Sequence, residues 1–148
     1  MRFAFLLLGL ILAWTTPTLA ESDTRPLFKL PQEIEFTGPP DQLQNAVIFG
    51  DPTKPGLYVQ RFRLPPGLKV PPHWHPDEMR TVVVLSGTLY YAFGERWDES
   101  KLAPLPAGSF FYEPPHVPHY ARAKGGEVIL QLTAIGPSGV TRVQQTPQ

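Results

Sequence analysis

Residues 67–87 read GLKVPPHWHPDEMRTVVVLSG, and the order of residue types in this stretch decides how the rest of the chain is understood. It opens and closes on glycine, carries His73 and His75 one residue apart, and ends in the run Thr81-Val82-Val83-Val84-Leu85. β-Branched side chains favour extended backbone. On an extended strand, residues two apart point to the same face. The two imidazoles are therefore expected side by side, with Trp74 turned to the opposite face. The other two of the 4 histidines, His116 and His119, lie in a second window, GSFFYEPPHVPH at residues 108–119. Confinement of every histidine to two short windows points to one shared centre, because imidazoles brought together from neighbouring strands make a natural divalent-metal site.

Around these windows the chain alternates short β-prone runs with turn residues. The runs span 46–49, 57–64, 81–85, 88–93, 109–112, 119–122, 128–135 and 140–143. Turn sequences such as Pro65-Pro66-Gly67, Ser86-Gly87 and Lys124-Gly125-Gly126 separate them. Short strands at this spacing predict an all-β sandwich or barrel. Beyond the first twenty residues no long window shows helical spacing, and a single turn near 98–102 is the one helix expected. The 19 prolines agree with this reading, since proline breaks helix interiors but is tolerated at strand ends and turns.

Arg2, the apolar run 3–13 and the small residues around Thr18-Leu19-Ala20 predict a signal peptide cleaved after Ala20. The apolar run is too short to span a bilayer, which takes about 20 residues. The expected organisation is a signal peptide at 1–20, a proline-bearing N-terminal arm at 21–44 and one β domain at 45–148. The mature protein is expected in the periplasm or secreted, with no membrane association after cleavage. Basic and acidic residues number 13 each over the whole chain, and Arg2 is the one charged residue in the first twenty, leaving a formal charge of −1. No basic stripe points to nucleic acid. The absence of cysteine excludes disulfides, thiolate metal ligands and a cysteine nucleophile. No phosphate-binding glycine loop, dinucleotide fingerprint or nucleophile elbow is present.

Taken together the two windows resemble the paired motifs of the cupin family. In the first, Gly67 is followed by five residues and then His73-Trp74-His75, with Gly87 closing the segment. In the second, Gly108 is followed by five residues, then Pro114-Pro115-His116, Val117-Pro118 and His119. The likeness covers about residues 45–145. It implies a single jelly-roll β-barrel with a metal held inside, His73, His75 and His119 matching the family's histidine ligands. Pairing into a homodimer through N-terminal strands, here residues 27–44, is also implied.

The departures from the pattern leave the rest of the site open. The family's glutamate position, counted back from Gly87, is occupied by Arg80, with Asp77 and Glu78 a little earlier. One arrangement has a bulge at Pro76-Asp77 that brings Glu78 onto the histidine face as a fourth metal ligand. In the other, three histidines and water hold the metal and Arg80 clamps an anion beside it. His116 replaces the second motif's glycine and Ala123 its asparagine. His116 is then a ligand's neighbour, a proton carrier at the pocket mouth or an exposed turn residue. Tyr90 and Tyr112 are candidates for the pocket wall or the core. The metal is any of Fe, Mn, Zn, Ni or Cu. Three functions follow from the resemblance: a metal-dependent oxygenase acting on a small organic molecule, a non-catalytic periplasmic binder or sensor of a small molecule or metal, and an isomerase or lyase of sugar-like substrates.

Overall fold

The alternation in the sequence folds into two facing antiparallel sheets in the computed structural model, which describes residues 26–144. The expected signal peptide lies outside the described residues. In chain order the strands are β1 (Gln44–Phe49), β2 (Gly56–Leu64), β3 (Lys69–Trp74), β4 (Met79–Ser86) and β5 (Thr88–Phe93). They continue with β6 (Ala103–Pro106), β7 (Phe110–Tyr112), β8 (His119–Arg122), β9 (Val128–Gly136) and β10 (Thr141–Arg142). One sheet has the spatial order β1-β2-β9-β4-β7 and the other β10-β3-β8-β5-β6. This is the all-β jelly-roll barrel that the sequence predicts.

Each expected run coincides with a strand or overlaps one. Two strands lie outside those runs: β3, which ends in the His73-Trp74-His75 motif expected to be extended, and β6, which the β-propensity pattern does not reveal. Pro104 and Pro106 interrupt β6, and they are tolerated because β6 stands at the edge of its sheet. The expected helical turn at 98–102 is a 3₁₀ turn at Glu99–Lys101. The Asp98 carboxylate caps it by accepting from the Ser100 N–H at 3.0 Å.

Alternation divides each strand between a solvent face and an interior face. Tyr58, Leu64, Val82, Val84, Leu89, Val128 and Leu132 are all buried between the sheets. One buried cluster joins Leu64, Val84, Leu89, Tyr91, Ala121, Ala123 and Val128. Leu64, Leu89, Tyr91 and Ala121 of this cluster also line an internal cavity. Part of the arm lies against the outside: Ile34 is buried, the Phe36 ring sits 4.1 Å beneath the Arg63 guanidinium, and the Thr37 N–H donates to Asn45 at 2.8 Å. Leu27, Phe28 and Leu30 stay exposed.

Two motif glycines adopt left-handed backbone for different local reasons. Gly87, in the turn between β4 and β5, has φ +75°, and a Cβ there would stand 2.3 Å from the Glu127 carbonyl oxygen. Gly67 has φ +83° with open space around it. A left-handed L-residue costs about 1–2 kcal/mol, so Gly67→Ala should lose roughly that much. Gly87→Ala should lose clearly more, because backbone must also move. Urea unfolding of the two variants checks this, and equal losses would contradict the described turn.

Candidate metal centre

A bulge aims the first histidine inward. Along β3 and β8, Val70 pairs with Ala121 and His73 with His119, so three steps on one strand match two on the other. The extra residue falls at Pro71-Pro72, where proline cannot complete a ladder. Buried and exposed positions then alternate through residues 75–78, which link β3 to β4, and the phase changes at Met79, so that Arg80 is buried like Asp77. His75 and Asp77 are buried and Pro76 and Glu78 are exposed, while Trp74 faces away and packs on the His116 ring at 4.7 Å. His119, at the start of β8, comes in from the adjacent strand. Ring centroids then lie 4.4 Å apart for His73 and His119, 4.9 Å for His73 and His75, and 5.3 Å for His75 and His119. One ring nitrogen from each falls within 4.8 Å of the others.

Backbone carbonyls fix which nitrogen is free. His73 Nδ1 contacts the Pro71 oxygen at 2.8 Å, His75 Nδ1 the Gly139 oxygen at 2.7 Å and His119 Nδ1 the Val117 oxygen at 3.1 Å. A carbonyl only accepts, so each Nδ1 carries the proton and donates. Each Nε2 therefore presents a lone pair. Burial lowers the pKa of His73 to about 4. Burial, reinforced by the Arg80 charge, lowers that of His75 to about 3. Burial likewise holds His119 below its ordinary value, even though Glu113 opposes the shift. At neutral pH all three rings are uncharged metal donors.

Beside them stands a buried network centred on Arg80. Its Nε donates to Glu113 Oε2 at 2.6 Å and its Nη1 to the Tyr58 hydroxyl at 3.1 Å, with Asp77 Oδ1 at 3.7 Å. The Tyr58 hydroxyl donates in turn to Asp77. Burial and that hydrogen bond push the Tyr58 pKa up to about 12, so the hydroxyl keeps its proton. The other oxygen of Glu113 lies 3.4 Å from His119 Nε2 and accepts from the Tyr91 hydroxyl at 3.4 Å. Burial alone would raise the Glu113 carboxyl, but the His119 imidazole and the Arg80 guanidinium outweigh it and hold the pKa below its usual range. The Glu113–His119 contact thus brings a carboxylate against a neutral ring. Three imidazole lone pairs and this carboxylate oxygen form a cluster of acceptors, which a first-row divalent cation fits by both charge and donor type.

The sequence-predicted residues divide accordingly. His73, His75 and His119 come together. Glu78 does not: no bulge at Pro76-Asp77 brings it onto the histidine face, it is exposed, and the buried positions on either side of it go to Asp77 and Arg80. Arg80 does face the site, but its donors are engaged by Glu113 and Tyr58 rather than free to clamp an anion. Removing one member of such a buried ion pair costs roughly 3–5 kcal/mol, which marks Arg80 as a positioning residue. His116 is an exposed turn residue at φ +60°, the left-handed conformation that the family's glycine adopts without strain. Tyr90 stacks under Lys124 at 4.7 Å, and Tyr112 is 44% exposed on the outer face of its sheet. Their neighbours Tyr91 and Phe111 line the interior instead. The site residue missed by the sequence reading is Glu113. The signal was available: an arginine at the family's acid position requires a carboxylate from elsewhere, and Glu113 is the one acid in the second window.

The cluster opens into a cavity of about 720 Å³, within the usual range for small-molecule pockets. Phe62, Leu64, Leu89, Phe111, Leu130 and Leu132 form its apolar wall. Asn45, Gln60 and Arg142 are among its polar lining residues.

Comparison with known proteins agrees with this geometry. The family model for the cupin domain matches residues 60–136, just over half of the chain, and the chain belongs to that family. A germin-like protein 5-1 from Oryza sativa subsp. japonica is 32% identical over 74 residues, 49% of this chain and 32% of that protein. The alignment thus spans about a third of the rice protein. Among solved structures, the polyketide cyclase RemF from Streptomyces resistomycificus superposes with a TM-score of 0.67 at 16% identity, covering 82% of this chain and 88% of that one. A double-stranded β-helix protein from Klebsiella pneumoniae gives 0.62 at 20% identity, covering 82% and 99%. Both likenesses concern the fold.

The lowered histidine pKa values set a pH dependence. Unfolded histidine titrates near 6.5, so between roughly pH 3 and 6.5 the unfolded chain binds more protons than the folded one, and stability falls as pH falls. The urea midpoint of metal-free protein should drop from pH 7 to pH 5, and a His73→Asn/His75→Asn variant should lose most of that drop. An unchanged wild-type midpoint would contradict the buried neutral rings.

Proposed function

We propose that the protein is an exported, metal-dependent enzyme of the oxygenase class, acting on a small organic molecule held in the barrel. The observation that supports it is the convergence of three Nδ1-tethered imidazoles at the wall of an apolar cavity. His73, His75 and His119 hold the metal through Nε2, with Glu113 beside them. When bound, the metal would supply an electrophilic centre for oxygen chemistry on the substrate. The chain's own residues do the remainder. The apolar wall displaces water from the substrate, and Glu113 Oε1 accepts or returns a proton at the metal's edge. Arg80 fixes the carboxylate, and the Tyr91 hydroxyl donates to it.

A non-catalytic binder or sensor is the second reading. The ion pair with Arg80 favours it, because a neutralised carboxylate is a weak base. The two readings part on turnover. The protein should hold about one metal ion per chain by elemental analysis, and iron-loaded protein should consume oxygen with at least one member of a catechol and diketone panel. His73→Ala should lose both metal and uptake. Stoichiometric metal without oxygen uptake would leave the binder, and undiminished metal in His73→Ala would remove the site.

Export after Ala20 and homodimer formation complete the proposal, the exposed side chains of Leu27, Phe28 and Leu30 being available for exchange with a second copy. A native mass spectrum of protein recovered from the exported fraction reads both. The expected species begins at Glu21 and has twice the chain mass; an intact N-terminus or a monomer would contradict the corresponding part.

A further inference from the structure

Near the histidine centre one positive charge is already committed and another is not. Arg80 is held by Glu113 and Tyr58. Arg142 also lines the cavity, yet its side chain has no hydrogen bond or ion pair among the described residues. Its place in the fold is specific. In the β10–β3 pair, Arg142 stands directly opposite His73, and directly opposed residues on neighbouring strands share a face. The guanidinium therefore projects on the side of His73, at the exposed lip of the cavity, where Val140 is 64% and Leu43 41% exposed. Asn45 and Gln60 bring amide donors to the same cavity from β1 and β2.

The interior has the opposite character. Leu64, Leu89 and Leu132 are almost fully buried, and the charges at the inner wall, Arg80 and Glu113, are paired with each other at 2.6 Å. An anion carried deep would lose its hydration to an apolar lining and find the Arg80 cation already committed to Glu113. At the lip it would meet an unpaired guanidinium, whose planar fork matches a carboxylate with two hydrogen bonds.

We propose that Arg142 is a specificity-determining residue and that the cavity takes a small monocarboxylate, its apolar body inside the barrel and its carboxylate on Arg142 at the lip. The inference rests on reading this cavity as the substrate site, but it is independent of the metal.

Matched probes test it on the full-length mature protein, both metal-free and zinc-loaded: hexanoate against hexanamide, and benzoate against benzamide, with affinity read by calorimetry. In metal-free protein each carboxylate should bind roughly tenfold tighter than its amide, the ratio that one charge-assisted contact supplies. Arg142→Gln should abolish that preference while leaving amide affinity and zinc content unchanged. Equal affinities within each pair, a preference that survives Arg142→Gln, or no binding of either carboxylate would overturn the proposal. Failure of the wild type to take up zinc would instead remove the metal centre, and the metal-free comparison would still decide the role of Arg142.

Discussion

Three backbone carbonyl oxygens, those of Pro71, Val117 and Gly139, decide what this barrel can do. By accepting from Nδ1 of His73, His119 and His75 they leave three Nε2 lone pairs directed at one point. A ring hydrogen-bonded in this way is held in one tautomer and one orientation, as in metal sites generally. Two of the three contacts are local, reaching back two residues along the chain. The third is long-range and ties His75 to the segment that leads into β10. The centre therefore depends on closure of the whole second sheet, from β3 and β8 out to β10.

The same interior contains an exchange of charges between the two family motifs. Arg80 occupies the position of the expected acid, and the acid arrives from the second motif as Glu113. Burying these groups is costly unless each is matched. Matching is nearly complete, since Asp77 and Tyr58 engage the other side of the guanidinium. The result is a carboxylate held next to His119 by a fixed cation, in place of one carried on the strand that follows His75. Site chemistry is thus separated from the local sequence around the histidine pair, and a motif search on the first window alone would misplace it.

Much of this was legible from the chain. The β runs, the turns and the meeting of His73, His75 and His119 follow from period-two alternation and from two glycine-bounded windows. What could not be read was phase. An extra residue at Pro71-Pro72 aims His73 inward, a second change of phase between Asp77 and Arg80 leaves Glu78 outside, and alternation carries no mark of where such shifts fall. Phase likewise left Tyr90 and Tyr112 open between pocket wall and core, and their neighbours Tyr91 and Phe111 are the residues that line the cavity. Glu113 was missed for another reason: the sequence marks it as the one acid of the second window, but its pairing with Arg80, 33 residues away, is made only when β4 and β7 lie side by side.

The division of the cavity into an apolar interior and a polar lip gives the site a direction. A ligand would enter past Arg142 and Asn45 and meet the histidines before the hydrophobic end. The central claim, that Nε2 of His73, His75 and His119 share one cation, is tested most directly by anomalous diffraction from zinc-soaked crystals. The account predicts one anomalous peak bonded to all three Nε2 atoms at about 2.0–2.1 Å, with every Nδ1 still on its carbonyl. A peak bonded through any Nδ1, or located away from the three rings, would contradict it.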